Sequence, residues 1–264
     1  MIDIHTHVLP GIDDGAQNLD DTLEILEALQ AQGVTELVAT PHIITGVYNN
    51  SRTIIDQKIS VVKQLIKDKE FKINIHSGAE LYLEPDIVQK VKDQKLTLAA
   101  SNYVLIETAL QQFPDNFEDI LFNFQQEGFR PIIAHAERFN PFMENFDYLL
   151  QIVNRDIYVQ MNSGSILGVY GNAVRDLALA MLHKGCVHVV ASDVHGLNKR
   201  PILMKDAFEF VAMEFSNTLA ENLFYKNPRR ILDNEELIHN FDGYFDERKK
   251  PGSFKSKLKS IFRI

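Results

Sequence analysis

Seven short strand-like segments alternate with amphipathic helical stretches along most of this chain, and that alternation limits its fold more than any other feature. The runs cover residues 2–5, 35–40, 72–77, 103–107, 131–135, 157–161 and 187–191. Segments of this length, carrying Ile, Val and Leu between the helical stretches, suit the strands of a parallel sheet. The stretches between them carry helical spacing. Leu19, Leu23, Leu26 and Leu29 mark a helix over about 20–32, with Gly33 just past its end. Phe117, Ile120, Leu121 and Phe124 share one face of a helix over 116–127, closed by Gly128. Further helices are expected over about 53–69, 85–93, 146–154 and 172–184, and within 201–221. Repeated strand–helix units pair their strands in parallel through right-handed crossovers. A chain of 264 residues, 45% of them apolar, fits one such barrel. The expected fold is therefore α/β, a closed or nearly closed barrel of seven strands, with an open doubly wound sheet as the alternative.

The chemistry-bearing residues cluster at the ends of these runs. His5 ends the first run and His7 follows it. His42 follows the second, Glu80 the third, Glu107 ends the fourth, His135 ends the fifth, and Asp193 and His195 follow the seventh. In a parallel barrel those places share the carboxyl-end face, where such folds carry their active sites. His5-x-His7 puts two rings on the same side of an extended strand, and Asp193-x-His195 repeats the spacing. Asp14 lies in the loop Gly11-Ile12-Asp13-Asp14-Gly15, which is able to fold back over the mouth. Alone, each of these is an ordinary turn or strand-end residue. Five of the nine histidines at the carboxyl ends of four strands, joined by carboxylates, point together to divalent metal ions. His76, His183, His188 and His239 fall inside strands, late in a helix or in the C-terminal region, and are expected to bind no metal.

Other chemistries are excluded or unsupported. A cysteine phosphatase needs an arginine six positions after its cysteine, and six positions after Cys186, the single cysteine, stands Ser192. Cys186 is expected to be buried at the start of the seventh strand, and one cysteine fits a reducing compartment. The sequence contains no P-loop. A net charge of −9 argues against nucleic acid as a partner. Charge is also unevenly placed, because 248–264 holds seven Lys or Arg and no acid; removing those seven leaves −16 for 1–247. The expected organisation is one barrel over 1–247 and a basic amphipathic tail over 248–264 that suits an anionic membrane surface or an acidic partner. No apolar run is long enough to span a membrane and no secretory leader is evident, so a cytoplasmic location is expected. Arg138 and Arg200, close in sequence to His135 and His195, are candidates for gripping phosphate oxygens with their planar forks. The glycine-bearing segment 162–171 reads as a turn or as a rim loop near substrate.

The opening M-I-D-I-H-T-H-V-L-P-G-I-D-D-G-A resembles the polymerase-and-histidinol-phosphatase superfamily. Within it, the chain is most similar to the manganese-dependent protein-tyrosine phosphatases of bacterial capsule and exopolysaccharide loci. A-T-P-H (39–42), G-A-E-L (78–81), I-A-H-A-E-R (133–138), N-S-G-S-I-L-G-V-Y-G (162–171) and A-S-D-V-H (191–195) continue the resemblance in order, over about 1–230. The resemblance implies a distorted seven-stranded TIM-like barrel and three divalent ions, manganese first, with Mg²⁺, Fe²⁺, Co²⁺ or Zn²⁺ as substitutes. It implies His5, His7, Glu80 and Asp193 for one ion, with Glu80 bridging to a second held by Glu107 and His135. Asp14, His42 and His195 hold the third, and Arg138 and Arg200 match the phosphate-binding arginines. The implied reaction is attack of a metal-bound hydroxide on a phosphotyrosine protein, a membrane-associated tyrosine kinase, with His42 a further candidate as proton donor. The alternatives are a small-molecule phosphatase such as histidinol phosphatase, a phosphodiesterase or nuclease of the superfamily, or a metal site of purely structural use. Two departures touch the rim but not the ligands. Ala136 stands where the family commonly has Pro, and Glu107-Thr108-Ala109-Leu110 replaces a segment that is often aromatic–proline.

Overall fold

The computed structural model describes residues 1–197 and 201–238. Among them, nine strand segments are all paired in parallel. They are β1 (Ile2–Thr6), β2 (Glu36–Ala39), β3 (His42–Ile43), β4 (Asn74–Ser77), β5 (Glu80–Tyr82), β6 (Tyr103–Glu107), β7 (Arg130–Ile133), β8 (Tyr158–Asn162) and β9 (Val189–Ala191). One sheet runs β1-β2-β4 and the other β3-β5-β6-β7-β8-β9. The two are continuous along the chain. β3 resumes β2 after Thr40-Pro41, and β5 resumes β4 after Gly78-Ala79, so nine segments make seven barrel strands. Proline has no N–H for the ladder, which explains the first break. The second falls at Gly78, where a Cβ would lie 2.7 Å from Val38 Cγ1 and 2.9 Å from a Leu98 methyl. The far edges also meet. His7 N–H donates to Val194 O at 3.0 Å and Asp193 N–H to His5 O at 3.0 Å, closing β9 onto β1. The result is a distorted seven-stranded barrel, not an open sheet.

The helices lie near their expected places. They are α1 (Leu19–Ala31), α2 (Arg52–Asp68), α3 (Ile87–Gln94), α4 (Phe117–Gln126), α5 (Asn140–Glu144), α6 (Phe146–Val153), α7 (Ser163–Ile166), α8 (Asn172–Lys184), α9 (Met204–Glu214), α10 (Asn217–Glu221) and α11 (Asn227–Leu232). Asn18 caps α1 by accepting the N–H groups of Asp20 (2.9 Å) and Asp21 (3.0 Å). Gly185 ends α8 at φ 67°. The helical span expected over 201–221 begins at Met204, and α11 continues beyond it. The segment 162–171, read as a loop, contains the one-turn α7. Among the described residues, no helix is long and apolar enough to cross a membrane.

Side-chain alternation decides what fills the barrel. Ile4, Val38, Leu105, Ile132, Tyr158 and Val189 pack together inside it, and Leu98, Ile231 and Leu237 join the same cluster. Outward neighbours such as Leu37, Val104, Ile133 and Val159 pack in the larger cluster shared with the helices. Following the inward residues up three strands gives Tyr103-Leu105-Glu107, Tyr158-Gln160-Asn162 and Val189-Ala191-Asp193. Each series is apolar low in the barrel and polar at the carboxyl end. In β1 the register slips between Asp3 and Thr6, after which His5 and His7 face the same space.

Candidate metal centre

The nine residues expected at the carboxyl-end face converge there. His5 Nε2 and His7 Nε2 are 3.1 Å apart. Glu80 Oε2 lies 3.2 Å from His5 Nε2, 3.3 Å from His7 Nε2 and 3.0 Å from His42 Nδ1. Asp193 Oδ1 is 3.5 Å from His5 Nε2. His135 Nε2 is 3.0 Å from Glu80 Oε1, and His42 Nδ1 is 2.7 Å from Glu107 Oε1. Asp14 Oδ1 sits 3.3 Å from His42 Nε2 and 3.2 Å from His195 Nε2. Three sets of donor atoms lie close enough to share an ion: His7, Asp14, His42 and His195; His5, His7 and Asp193; and His42, Glu80 and Glu107. His135 reaches the last set through Glu80. His42 and Glu80 stand on β3 and β5, not beyond the strands as expected, because both strands resume after their breaks.

His42 turns one nitrogen to Glu80 and Glu107 and the other to Asp14. Both nitrogens therefore face carboxylates of the cluster. Arg138 follows His135 in a short turn, with Nη1 3.5 Å from Asp193 Oδ2 and its guanidinium 4.8 Å from the Tyr170 ring centroid. Arg200 and the tail over 248–264 lie outside the described residues, as does His239. His76 pairs with Glu36 at 3.0 Å, His183 packs beside Phe215, and His188 Nδ1 accepts the Val159 N–H at 3.1 Å. Cys186 is buried, and burial pushes its thiol up to about 12.

Local backbone aims the cluster. His135 (φ 35°) and Asp193 (φ 54°) both adopt the left-handed region, costly for residues bearing a Cβ. The Asp13–Asp14 loop folds directly onto β1. A Cβ on Gly15 would lie 2.1 Å from His7 O and 2.4 Å from His7 Cβ, so only glycine permits that approach. Asp13 Oδ2 sits 2.8 Å from His7 Nδ1, while its other oxygen accepts the Gly15 N–H at 2.9 Å.

Sequence reasoning missed Asp13, Gln160 and Asn162. Gln160 Oε1 lies 3.0 Å from His5 Nδ1 and accepts the His135 N–H at 2.9 Å. Asn162 Nδ2 donates to Asp193 Oδ2 at 2.7 Å. Parity along the 157–161 run offered a signal, since Gln160 shares the inner face with Tyr158.

The electrostatics fit cations. Burial disfavours a charged His7 ring, yet Asp13 and Glu80 raise its pKa to about 9. Burial likewise opposes charge on His42, and Glu80, Asp14 and Glu107 outweigh it to hold that ring protonated. Burial penalises the Glu80 carboxylate, but the surrounding His5, His42 and His135 hold it well below the usual range. A field that draws protons onto ligand nitrogens also draws divalent ions, which displace them. The orphaned atoms fit the same reading. His42 Nδ1, Glu80 Oε2, Glu107 Oε1 and His135 Nδ1 are buried without a hydrogen bond of acceptable angle.

A parallel barrel with such a mixed imidazole and carboxylate set at its carboxyl end is built as a metal-dependent hydrolase. Residues 1–233 match the family described as capsular polysaccharide synthesis, CpsB/CapC, and the chain belongs to that family. It is 32% identical to the tyrosine-protein phosphatase CpsB of Streptococcus agalactiae, covering 90% of this chain and 100% of that one. It is 31% identical to CapC of Staphylococcus aureus, covering 90% and 93%. A crystal structure from work on YwqE of Bacillus subtilis and CpsB of Streptococcus pneumoniae, described as metal-dependent tyrosine phosphatases, superposes with a TM-score of 0.87. Identity is 29%, over 91% of this chain and 97% of that one.

Proposed function

We propose that this chain is a metal-dependent protein-tyrosine phosphatase whose substrate is a membrane-associated tyrosine kinase governing capsule or exopolysaccharide synthesis. One observation carries the metal reading. Glu80 Oε2 is surrounded by three imidazole nitrogens from two other strands at 3.0–3.3 Å. Imidazole nitrogens crowded round one buried carboxylate oxygen make a donor set that suits a divalent cation. In this reading His5, His7, Glu80 and Asp193 hold one ion, Glu80, Glu107 and His135 a second, and Asp14, His42 and His195 a third. The mixed nitrogen and oxygen donors suit manganese, with magnesium, iron, cobalt and zinc as substitutes. Three divalent ions against these four carboxylates leave about two positive charges, matching a phosphomonoester dianion.

When bound, divalent ions in such a centre supply a nucleophile from water at neutral pH and polarise the phosphoryl group. The chain's own residues position the ester. Arg138, packed on Tyr170 beside Asp193, and Arg200 grip the equatorial oxygens. A phenolate leaving group, with a pKa of about 10, needs less protonation than an alkoxide. Tyr48 stacks 5.5 Å from the His42 ring at 15° and, with Tyr170, gives the mouth two aromatic flanks for an aryl ester. The Asp14 side chain is 45% exposed, which leaves that side open to a protein-borne residue. The barrel body over 1–247 acts in the cytoplasm, and the basic tail over 248–264 brings it to an anionic membrane surface. The test is a manganese-supplemented panel of phosphotyrosine peptide, phosphoserine peptide, histidinol phosphate and a nucleic-acid oligomer. Phosphotyrosine turnover lost on chelation and restored by Mn²⁺ is the expected result. Full activity in protein shown metal-free by elemental analysis ends the metal reading, and preference for histidinol phosphate ends the protein-substrate reading.

A further inference from the structure

Of the seven barrel strands, β8 supplies no candidate ligand, although its upper inward positions lie in the middle of the cluster. Those positions hold two amides, Gln160 and Asn162, both fully buried. Their hydrogen bonds form one connected path. Gln160 Oε1 accepts the His135 N–H (2.9 Å) and faces His5 Nδ1 (3.0 Å). Gln160 Nε2 donates to Asn162 Oδ1 (2.8 Å), and Asn162 Nδ2 donates to Asp193 Oδ2 (2.7 Å). The Asn162 N–H donates to Glu137 Oε1 at 3.0 Å.

The polarity of this path is fixed from its His135 end. A backbone N–H only donates, so the Gln160 atom facing His135 must be its oxygen. Gln160 Nε2 then donates to Asn162 Oδ1, which leaves Asn162 Nδ2 to donate to Asp193 Oδ2. Each amide then has one consistent orientation. His5 Nδ1 must in turn carry a proton, because it faces an oxygen that has none to give. That leaves the His5 Nε2 lone pair for the cluster, while Asn162 holds Asp193 Oδ2 aside and Oδ1 faces His5 and His7.

We propose that Gln160 and Asn162 form a relay of fixed polarity that sets the His5 tautomer and the Asp193 orientation, making them positioning residues of the metal centre. The inference rests on the metal reading above and deepens it. It explains why one barrel strand carries amides where its neighbours carry ligands: the partners of metal-bound groups orient them and tune their basicity. His7 is oriented separately, by the Asp13 carboxylate, so the two rings of His5-x-His7 are held by different chemistry. A neutral amide on His5 adds no charge to a site already rich in carboxylates.

The experiment measures Mn²⁺ affinity, by competition with a chelating fluorophore, and bound ions per chain, by elemental analysis, on the full chain. The proteins are wild type, Gln160→Met, Asn162→Leu, the double variant and Met161→Ala, an outward-facing control on the same strand. Gln160→Met keeps the volume and removes every side-chain hydrogen bond of that residue; Asn162→Leu removes the bond to Asp193 together with the acceptor of Gln160 Nε2. Each relay variant is expected to weaken manganese binding by about 10–100-fold. The double variant should lose little more than the weaker single one, because a connected path fails as a unit. Met161→Ala should lower the melting temperature with affinity unchanged. Wild-type affinity in either relay variant overturns the proposal. So does equal affinity loss in Met161→Ala, which would mark a general effect of stability. Wild-type protein that binds no manganese sinks the metal reading itself, a result separate from failure in the variants alone.

Discussion

Gly15→Ala is the sharpest single test of how the acidic loop builds the centre. The added methyl would lie 2.1 Å from His7 O and 2.4 Å from His7 Cβ, against an ordinary contact of 3.4 Å or more. Both atoms belong to His7, just past β1 and held by its N–H to Val194 O, so the loop must move instead, by roughly 1 Å. That displacement is large compared with the tolerance of the Asp13–His7 contact at 2.8 Å, since a hydrogen bond is essentially lost by 3.6 Å. It also withdraws Asp14 from His42 and His195. The barrel core lies elsewhere, so the fold should persist. The expected result is weaker manganese binding by about 10–100-fold, the usual effect of losing a ligand's orienting partner. Phosphatase activity at low metal should fall with it and recover in excess Mn²⁺. Chelator competition alongside thermal unfolding of the metal-free protein measures both. Wild-type affinity in Gly15→Ala would refute the argument that this glycine places the loop.

Arg138→Ala should slow ester cleavage by about tenfold or more, roughly 1.4 kcal/mol, with bound metal unchanged; normal turnover would make it a surface residue. Cys186→Ser should leave turnover nearly unaltered, and the native thiol, pushed up to about 12, should resist alkylation at pH 8; a roughly hundredfold drop in kcat with normal folding reverses this. In the metal-free protein His7 is raised from 6.5 to about 9. Its stabilising contribution is full below pH 6.5 and lost as pH rises through about 9. Metal-free protein should therefore lose thermal stability over that window while manganese affinity rises; affinity that is flat from pH 6.5 to 9 contradicts the reading. A truncation ending at Glu247 should keep full activity on a soluble phosphopeptide and lose salt-sensitive binding to anionic vesicles; equal vesicle binding refutes the membrane role of the tail.

Much of this protein was legible before any coordinates. Strand and helix order followed from periodicity, because the strands read as short segments carrying Ile, Val and Leu and their helices keep one apolar face. Eight of the nine candidate ligands, all but the loop residue Asp14, were readable for a topological reason. A parallel barrel brings the carboxyl end of every strand to one face, so residues from His5 to His195 meet with no pairwise knowledge of contacts. Cys186 was equally plain, since the absence of an arginine six positions on is a fact of sequence alone.

Tertiary structure decided what nearest neighbours in sequence cannot. Asp13 and Asp14 are adjacent acids in one loop, yet the close approach permitted at Gly15 sends the first to His7 Nδ1 and the second to His42 and His195. The strands broken at Thr40-Pro41 and Gly78-Ala79 resume only because neighbours offer hydrogen bonds across the breaks: Thr40 N–H donates to Thr6 O at 2.9 Å and Glu80 N–H to Pro41 O at 3.1 Å. Gln160 and Asn162 carry only a faint mark in sequence, the inward parity they share with Tyr158, since an amide is neither an acid nor a usual ligand of transition ions. Their meaning lies in partners 25 to 155 positions away, and those partners exist only once β9 has closed onto β1. Sequence specifies which residues reach the face of a barrel; the direction of each lone pair depends on atoms that folding alone brings within 3 Å.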